Sequence, residues 1–294
     1  MTESPLVSVI IPCYNAEKYV EQAIRSIMVQ TYKNLEILIT DDCSTDGSFA
    51  ILQKLAKEDS RIKLFKNEQN QKIVRTLNAL VERANGKYIA RMDADDISLP
   101  KRIEKQVCFM EAHPDIAICG TNAWNIDENN RIISLTHLPI RNSDVQFYKN
   151  FSNPFYHPSV LVRTAVMKEY LYDEKFLLAE DYDLWIRILG KRKGANLTNR
   201  FLYYRILQNS LSHNSQTKVK QQNIAVQVHN LHDFRLLKKL NNPILLGQIL
   251  YYGLKKKEYS AWQIICIKNF FSIVVFIVFE SLQRFFLQGR KINA

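Results

Sequence analysis

Residues 86–100 read GKYIARMDADDISLP. Tyr88 to Met92 has the apolar character of a short buried strand, and it runs directly into Asp93, Asp95 and Asp96. Unscreened carboxylates repel and raise one another's pKa, so this crowding reads either as solvated turn chemistry or as a place for something positive. A hard divalent cation suits it: Mg²⁺ or Mn²⁺ takes one or two carboxylate oxygens, keeps several waters and draws its remaining ligands from substrate phosphates. A second acidic pair, Asp41 and Asp42, ends another predicted strand. In a parallel sheet the carboxyl ends of the strands share one edge, so the two pairs are expected to meet in one crevice.

Outward from that stretch the chain alternates. Val7 to Ile11 is a β-branched run of the kind buried on both faces of a parallel sheet, ended by Pro12. Asn15 is placed to cap a helix whose apolar positions, Val20, Ala23, Ile24, Ile27 and Met28, recur at helical spacing. Leu35 to Ile39 is the second strand, and Ser44 to Gly47 supplies turn and capping residues for a helix through Ala56. Ile62 to Phe65 predicts a third strand, and Val74 to Ala84 a helix stopped by Asn85-Gly86. After the acidic loop, Pro100 opens a helix with Ile103, Val107 and Met110 on one face, and Ile116 to Cys119 is a strand ended by Gly120. From there the regular alternation stops, with extended pieces expected around a turn at Asp127 to Asn130. Val160 to Val162 reads as a strand, Ala179 to Leu189 as a helix and Phe201 to Ile206 as a last strand. Strand and helix in alternation predict an α/β fold with a mostly parallel central sheet flanked by helices.

The five cysteines are odd in number and lack CxxC spacing, which indicates neither a disulfide framework nor a zinc site and fits a reducing cytosol. The amino terminus carries an acidic residue and a proline where an export signal needs positive charge and a long apolar run, so a cytoplasmic protein is expected. The net charge of +11 is uneven: residues 216–294 hold 12 Lys and Arg against 3 Asp and Glu. The remainder is close to balanced.

Neither GxxxxGK[ST] nor GxGxxG occurs, so the glycine cradles of P-loop and dinucleotide-binding proteins are excluded. A nucleotide handled without such a cradle needs its phosphates neutralised by other means, and a metal at Asp93 and Asp95 would do so. Four segments carry a resemblance: VSVIIPCYNAEKYVEQAIRSIMVQT from Val7, ILITDDCSTDGS from Ile37, GKYIARMDADDISLPKR from Gly86, and AEDYDLWIR from Ala179. In this order, over about residues 6 to 210, the chain resembles a family 2 glycosyltransferase with the GT-A fold, of the kind that builds bacterial surface polysaccharide. A processive synthase fits less well, because no QxxRW sequence is present.

The resemblance implies roles. Pro12, Tyr14, Asn15 and Asp42 match positions that hold the base and ribose of a nucleoside-diphosphate sugar, with UDP the commonest nucleotide. Asp93 and Asp95 match the DxD pair, Asp95 being the more direct ligand for Mn²⁺ or Mg²⁺. Asp181 matches the catalytic base, with Glu180 beside it as a positioning or capping carboxylate. His213 is a candidate for approach to the diphosphate and its metal, and Arg75 and Arg102 are candidates for phosphate contact. His157 reads as a loop or core histidine. The segment Asn67 to Arg75 lacks the glycine that relatives often place before this helix, so the loop near the donor is expected to differ in shape. The implied reaction is metal-dependent transfer of one sugar, with inversion, to a lipid-linked or glycan acceptor in O-antigen or capsule synthesis. The alternative is a catalytically inactive nucleotide-binding scaffold on the same fold.

Residues 1–215 are expected to form the catalytic domain and 216–294 a basic helical extension. In the extension, Lys255 to Lys257 precede an apolar segment whose clean core, Phe270 to Phe279, is too short to span a bilayer. Aromatic and aliphatic residues flanked by lysines suit an interfacial helix on anionic lipid at the inner face of the plasma membrane. Packing on the catalytic domain or pairing in a homo-oligomer is the other reading. No recognised nucleic-acid module accompanies the charge, and no nucleic-acid partner is expected.

Overall fold

Buried β-branched runs and amphipathic helices alternate as the periodicity predicts in the computed structural model, which describes residues 4–149 and 152–207. The elements are β1 (Val7–Cys13), α1 (Val20–Met28), β2 (Leu35–Asp41), α2 (Ser48–Glu58), β3 (Ile62–Lys66), α3 (Lys72–Arg83), β4 (Tyr88–Arg91), β5 (Ile97–Ser98), α4 (Arg102–Ala112), β6 (Ile116–Ile126), β7 (Ile132–Leu135), α5 (Asn142–Tyr148), β8 (Leu161–Arg163), α6 (Thr164–Tyr170), α7 (Glu180–Lys191) and β9 (Lys193–Arg205). Every residue of β1, β2 and β4 is buried, as strands covered on both faces must be.

The strands form one sheet in the order β3-β2-β1-β4-β8-β6-β9-β5, with β7 added beside β6. Pairing from β3 to β4 is parallel. β8 then enters antiparallel to β4 and to β6, whereas β9 runs parallel to β6. The reversal has a geometric consequence. The carboxyl ends of β1, β2, β4, β6 and β9 all point to one edge of the sheet, and the chain entering β8 starts from that edge. Because α7 leads into the start of β9 at the opposite edge, the amino end of α7 also returns to the first one.

Alternate residues of the central strands feed two cores. Val9 and Ile11 pack with Ile24, Leu52 and Ile103 on the face covered by α1, α2 and α4. Ile10 and Leu38 pack with Leu77, Val81, Trp185 and Ile188 on the face covered by α3, α6 and α7.

The structure departs from the sequence expectations at several points, each with a local cause. Asn15 does not cap α1: it adopts a φ of 47°, and its side-chain oxygen accepts a hydrogen bond from the Thr45 amide at 2.9 Å, tying the two loops at the sheet edge. β6 does not stop at Gly120 but continues to Ile126. The glycine serves close approach instead, since a Cβ there would lie 2.2 Å from the Asn196 side chain and 2.8 Å from Phe155. β9 begins at Lys193, eight residues before the expected Phe201, because its polar first half is held as strand by β6. The short helices α5 and α6 were not signalled by periodicity. The basic extension and His213 lie outside the described residues. Among the described residues no helix is long and apolar enough to cross a membrane.

Candidate active site

β4 stands at the centre of the sheet, and its end carries the acidic loop. Arg91, only 3% exposed, forms an ion pair with Asp93. One carboxylate oxygen from each of Asp93, Asp95 and Asp96 falls within 4.8 Å of the others. Burial and then the neighbouring Asp93 push Asp95 up to about 7. Asp96 is raised for the same reasons, with Asp95 adding to the repulsion. Asp96 Oδ1 accepts a hydrogen bond from the Arg205 amide at 2.7 Å, while Oδ2 is buried with no partner among the described residues. Orphaned buried oxygen and crowded oxyanions are the chemistry of a site built for a hard cation with oxygen ligands, so the residues fit the divalent metal that the DxD pattern implies.

Arg205 organises this loop from the end of β9. Its Nε donates to the Asp95 carbonyl at 2.8 Å, its Nη1 to the Asp127 carbonyl at 2.9 Å and its Nη2 to Asn130 Oδ1 at 2.7 Å. The guanidinium lies 4.4 Å from the centre of the Tyr19 ring. The acidic loop, the β6–β7 turn and the start of α1 are thereby fastened to one side chain.

A second acid pair opens α7. Asp181 accepts from Asn153 Nδ2 at 2.6 Å through Oδ2 and from the Tyr182 amide at 2.7 Å through Oδ1. Burial still raises its pKa, with these two donors offsetting part of the shift. Glu180 is pushed up to about 8, by burial first and by Asp181 second. Arg91 acts on both carboxyls in the opposite sense, so one buried guanidinium lies within electrostatic reach of both acid groups. Desolvation works against the Arg91 charge, but Asp93 overrides it and keeps the guanidinium protonated.

The loops after β1 and β2 complete one wall. Pro12, Tyr14, Asn15 and Asp42 line the same cleft of about 1600 Å³ as Asp93, Asp95, Glu180 and Asp181. Tyr14 is 50% exposed and free to meet a ligand ring. Asp42 is fixed by the Asn67 side chain and the Gln71 amide, both 2.7 Å from Oδ1. The loop that lacks a glycine places Lys72, a cleft residue, at a φ of 70°.

Two arginines read as phosphate contacts do other things. Arg75 points away from the cleft and pairs with Glu174 at 2.9 Å on the surface, the helix turning its neighbours Ile73 and Thr76 inward instead. Arg102 is fully buried and donates to the Arg91 carbonyl at 2.6 Å, bracing β4 from beneath; burial lowers its pKa to about 9. His157 lines the cleft half-buried: its Nε2 lies 2.7 Å from the Tyr172 hydroxyl, and burial followed by Arg91 depresses its pKa so that it stays neutral. The sequence reading missed Arg91, Asn153 and Arg205. Only Arg91 left a signal, a cation inside a strand that is otherwise apolar.

Comparison with known proteins gives a consistent picture. Residues 8–171 match the family described as Glycosyl transferase family 2. An uncharacterized glycosyltransferase of Haemophilus influenzae is 33% identical over 79% of this chain and 77% of its own length. The O-antigen biosynthesis glycosyltransferase WbnJ of Escherichia coli is 34% identical over 72% of this chain and 82% of its own. Among solved structures, S. aureus TarS in complex with UDP aligns with a TM-score of 0.61 at 19% identity, over 85% of this chain and 72% of that one. The mannosyltransferase PcManGT of Pyrobaculum calidifontis, in complex with GDP-Man and Mn²⁺, aligns with a TM-score of 0.59 at 15% identity, over 94% and 74%. These likenesses establish the GT-A fold, and with the sequence matches they lead to one conclusion: the chain belongs to glycosyl transferase family 2 and is a glycosyltransferase.

Proposed function

We propose that the protein transfers a single sugar from a nucleoside-diphosphate donor, most simply a UDP-sugar, to an acceptor hydroxyl in surface-polysaccharide synthesis, with inversion at the anomeric carbon. The observation that carries this reading is the meeting of two acid groups, at the ends of β4 and the start of α7, on one cleft around Arg91. Pro12, Tyr14, Asn15 and Asp42 would receive the nucleoside. Asp93 and Asp95, with the orphaned oxygen of Asp96 behind them, would hold Mn²⁺ or Mg²⁺. When bound there, the cation supplies Lewis-acid stabilisation of the charge that develops on the departing diphosphate.

Asp181 is the base in this reading. An acceptor hydroxyl is a poor nucleophile until a carboxylate takes its proton as the new glycosidic bond forms. Asn153 and the Tyr182 amide fix both oxygens of Asp181 and leave each a further lone pair for that proton. Glu180, raised by burial and by Asp181, would remain protonated near neutrality and so leave its neighbour as the charged partner. Arg91 would hold the two acid groups in register across the cleft. The O-antigen role of WbnJ and the bound ligands of TarS and PcManGT support the polysaccharide role, the nucleotide-sugar donor and the metal. For the extension, residues 216–294, the basic and apolar composition supports docking on anionic lipid, where a lipid-linked acceptor would be presented.

The test is a thermal-shift screen of UDP-, GDP- and dTDP-sugars with and without Mn²⁺, since a ligand that binds the folded state raises its melting temperature. A metal-dependent shift with one nucleotide class is expected. Asp181→Asn should then lower transfer about 10²- to 10³-fold while leaving that shift in place. An equal loss of nucleotide binding would remove Asp181 from the role of base.

A further inference from the structure

The cleft is larger than one ligand requires. Pockets for a single small molecule occupy roughly 300–1000 Å³, against about 1600 Å³ here. Sheet order divides the space: β1 and β2, with the nucleoside-side residues, lie on one side of β4, and β8, β6 and β9 on the other. The acidic loop and Asp181 stand between. The far wall is built from the segment before β8 and from the end of β9, and its most prominent feature is a pair of tyrosines. Tyr156 and Tyr204 line the cleft with ring centres 5.0 Å apart at 74°. Both are partly exposed, with Tyr204 packed on the core behind it, so the pair presents a braced aromatic surface to the cleft.

The charge on this side is equally informative. A phosphate group needs cations or several aimed N–H donors. Among the described residues of the cleft, Lys18 is taken up by Glu128 at 3.0 Å, Arg91 by Asp93 and Arg205 by backbone carbonyls, while Lys72 belongs to the α3 side. His157 is held neutral, which leaves His137 as the remaining basic group among the described residues that line the cleft. The carboxyls nearby would repel an anion. A neutral pyranose suits the wall far better: its C–H face is apolar and packs on aromatic rings, and Asn153 and Asp181, which line the same cleft, offer polar partners for its hydroxyls.

Resting on the reading of the protein as a nucleotide-sugar transferase, we infer that Tyr156 and Tyr204 form the acceptor subsite, and that the reacting end of the acceptor is a sugar rather than a lipid phosphate. The bond made is then a glycosidic bond between donor and acceptor sugars, with the proton of the attacking hydroxyl passing to Asp181 and the nucleoside diphosphate leaving.

Saturation-transfer NMR on the full chain, with UDP and diamagnetic Mg²⁺ present, tests this. The probes are methyl glycosides of glucose, galactose, mannose, rhamnose and N-acetylglucosamine, and, separately, farnesyl phosphate. At least one glycoside should receive saturation, strongest on the C–H protons of one ring face. Tyr156→Leu and Tyr204→Leu should weaken that binding by about fivefold, the scale of an aromatic contact, while Tyr156→Phe and Tyr204→Phe preserve it and UDP affinity stays within about twofold in all four. Binding of farnesyl phosphate with no glycoside, absence of glycoside binding to the wild-type protein, or glycoside binding indifferent to both leucine variants would each overturn the inference. Failure of UDP to bind in the same samples would instead strike the donor reading, so the two failures are told apart.

Discussion

Glu36, at the amino-terminal edge of the sheet, and Asp95, at its carboxyl-terminal edge, are carboxyls withdrawn from water by the same fold, yet their surroundings push them in opposite directions. Glu36 is fully engaged: Ser8 Oγ donates to it at 2.6 Å, the Asn85 amide at 2.7 Å and Lys63 Nζ at 2.8 Å. Burial alone would raise its pKa, but these donors win and lower it to about 2. Asp95 meets burial and another carboxylate, and is pushed up to about 7. A carboxyl that holds strands together is given its counter-groups by the chain. Asp95 is left without them, as a carboxyl proposed to receive a cation would be, and the protein bears that cost.

The largest expected effect breaks the acidic edge. Asp95→Asn should reduce sugar transfer by about 10³-fold or more and abolish the Mn²⁺-dependent part of UDP binding, measured by calorimetry at fixed nucleotide. Unchanged metal dependence would mean that the acidic loop is turn chemistry after all.

At the other edge, Glu36→Gln should cost on the order of 2 kcal/mol of folding stability at pH 7. The folded-state pKa is depressed, so the stabilisation is present above about 4.5 and is lost as pH falls through about 2. Denaturant melts of the two proteins should therefore converge at the acid end. A difference that persists at pH 2 would point to packing instead of charge.

A third expected effect falls on the residue that fastens the acidic loop. Arg205→Gln should raise the Mn²⁺ concentration for half-maximal activity by about tenfold, as the loss of a group that orients metal ligands does. Arg205→Lys should recover little, because a point ammonium cannot span the carbonyls of Asp95 and Asp127 and the Asn130 side chain together.

The smallest effect carries the sharpest sign. Without metal, Asp95→Asn should stabilise the protein at pH 8 by about 1 kcal/mol. The folded-state pKa of Asp95 is raised, so its favourable contribution is complete below about 3.8 and is lost as pH rises through about 7. The same substitution that disables the enzyme should raise its melting temperature in chelator, whereas Glu36→Gln lowers it.

Much of this was legible in the chain. The apolar runs at Val7, Leu35 and Tyr88, with helical spacing between them, set the parallel half of the sheet, and acids at strand ends marked the edge that carries the candidate site. The second half was harder to read. β9 begins in Lys-Gly-Ala-Asn-Leu-Thr-Asn, which has little strand character and is extended because β6 pairs with it along its length. Gly120 looked like an end and is a point of close contact. Arg75 and Arg102 showed charge but not direction, since the turn of a helix decides whether a side chain faces a cleft, solvent or the core.

The sequence by itself determined where local order lies and which residue types stand at its boundaries: Asp93 to Asp96 after a strand, Glu180 and Asp181 at a helix start. These are properties of neighbours along the chain, governed by backbone periodicity and capping. Only the tertiary structure decided that the two acid groups line one cleft, because that depends on β8 running against β4 and so returning the amino end of α7 to the edge where β4 finishes. It also decided that Arg91 would be shared between them and that Arg205, 110 residues further on than Asp95, would hold the loop in place. Contacts over such separations are set by sheet order, and sheet order is fixed by burial of both faces at once rather than by any short stretch of sequence.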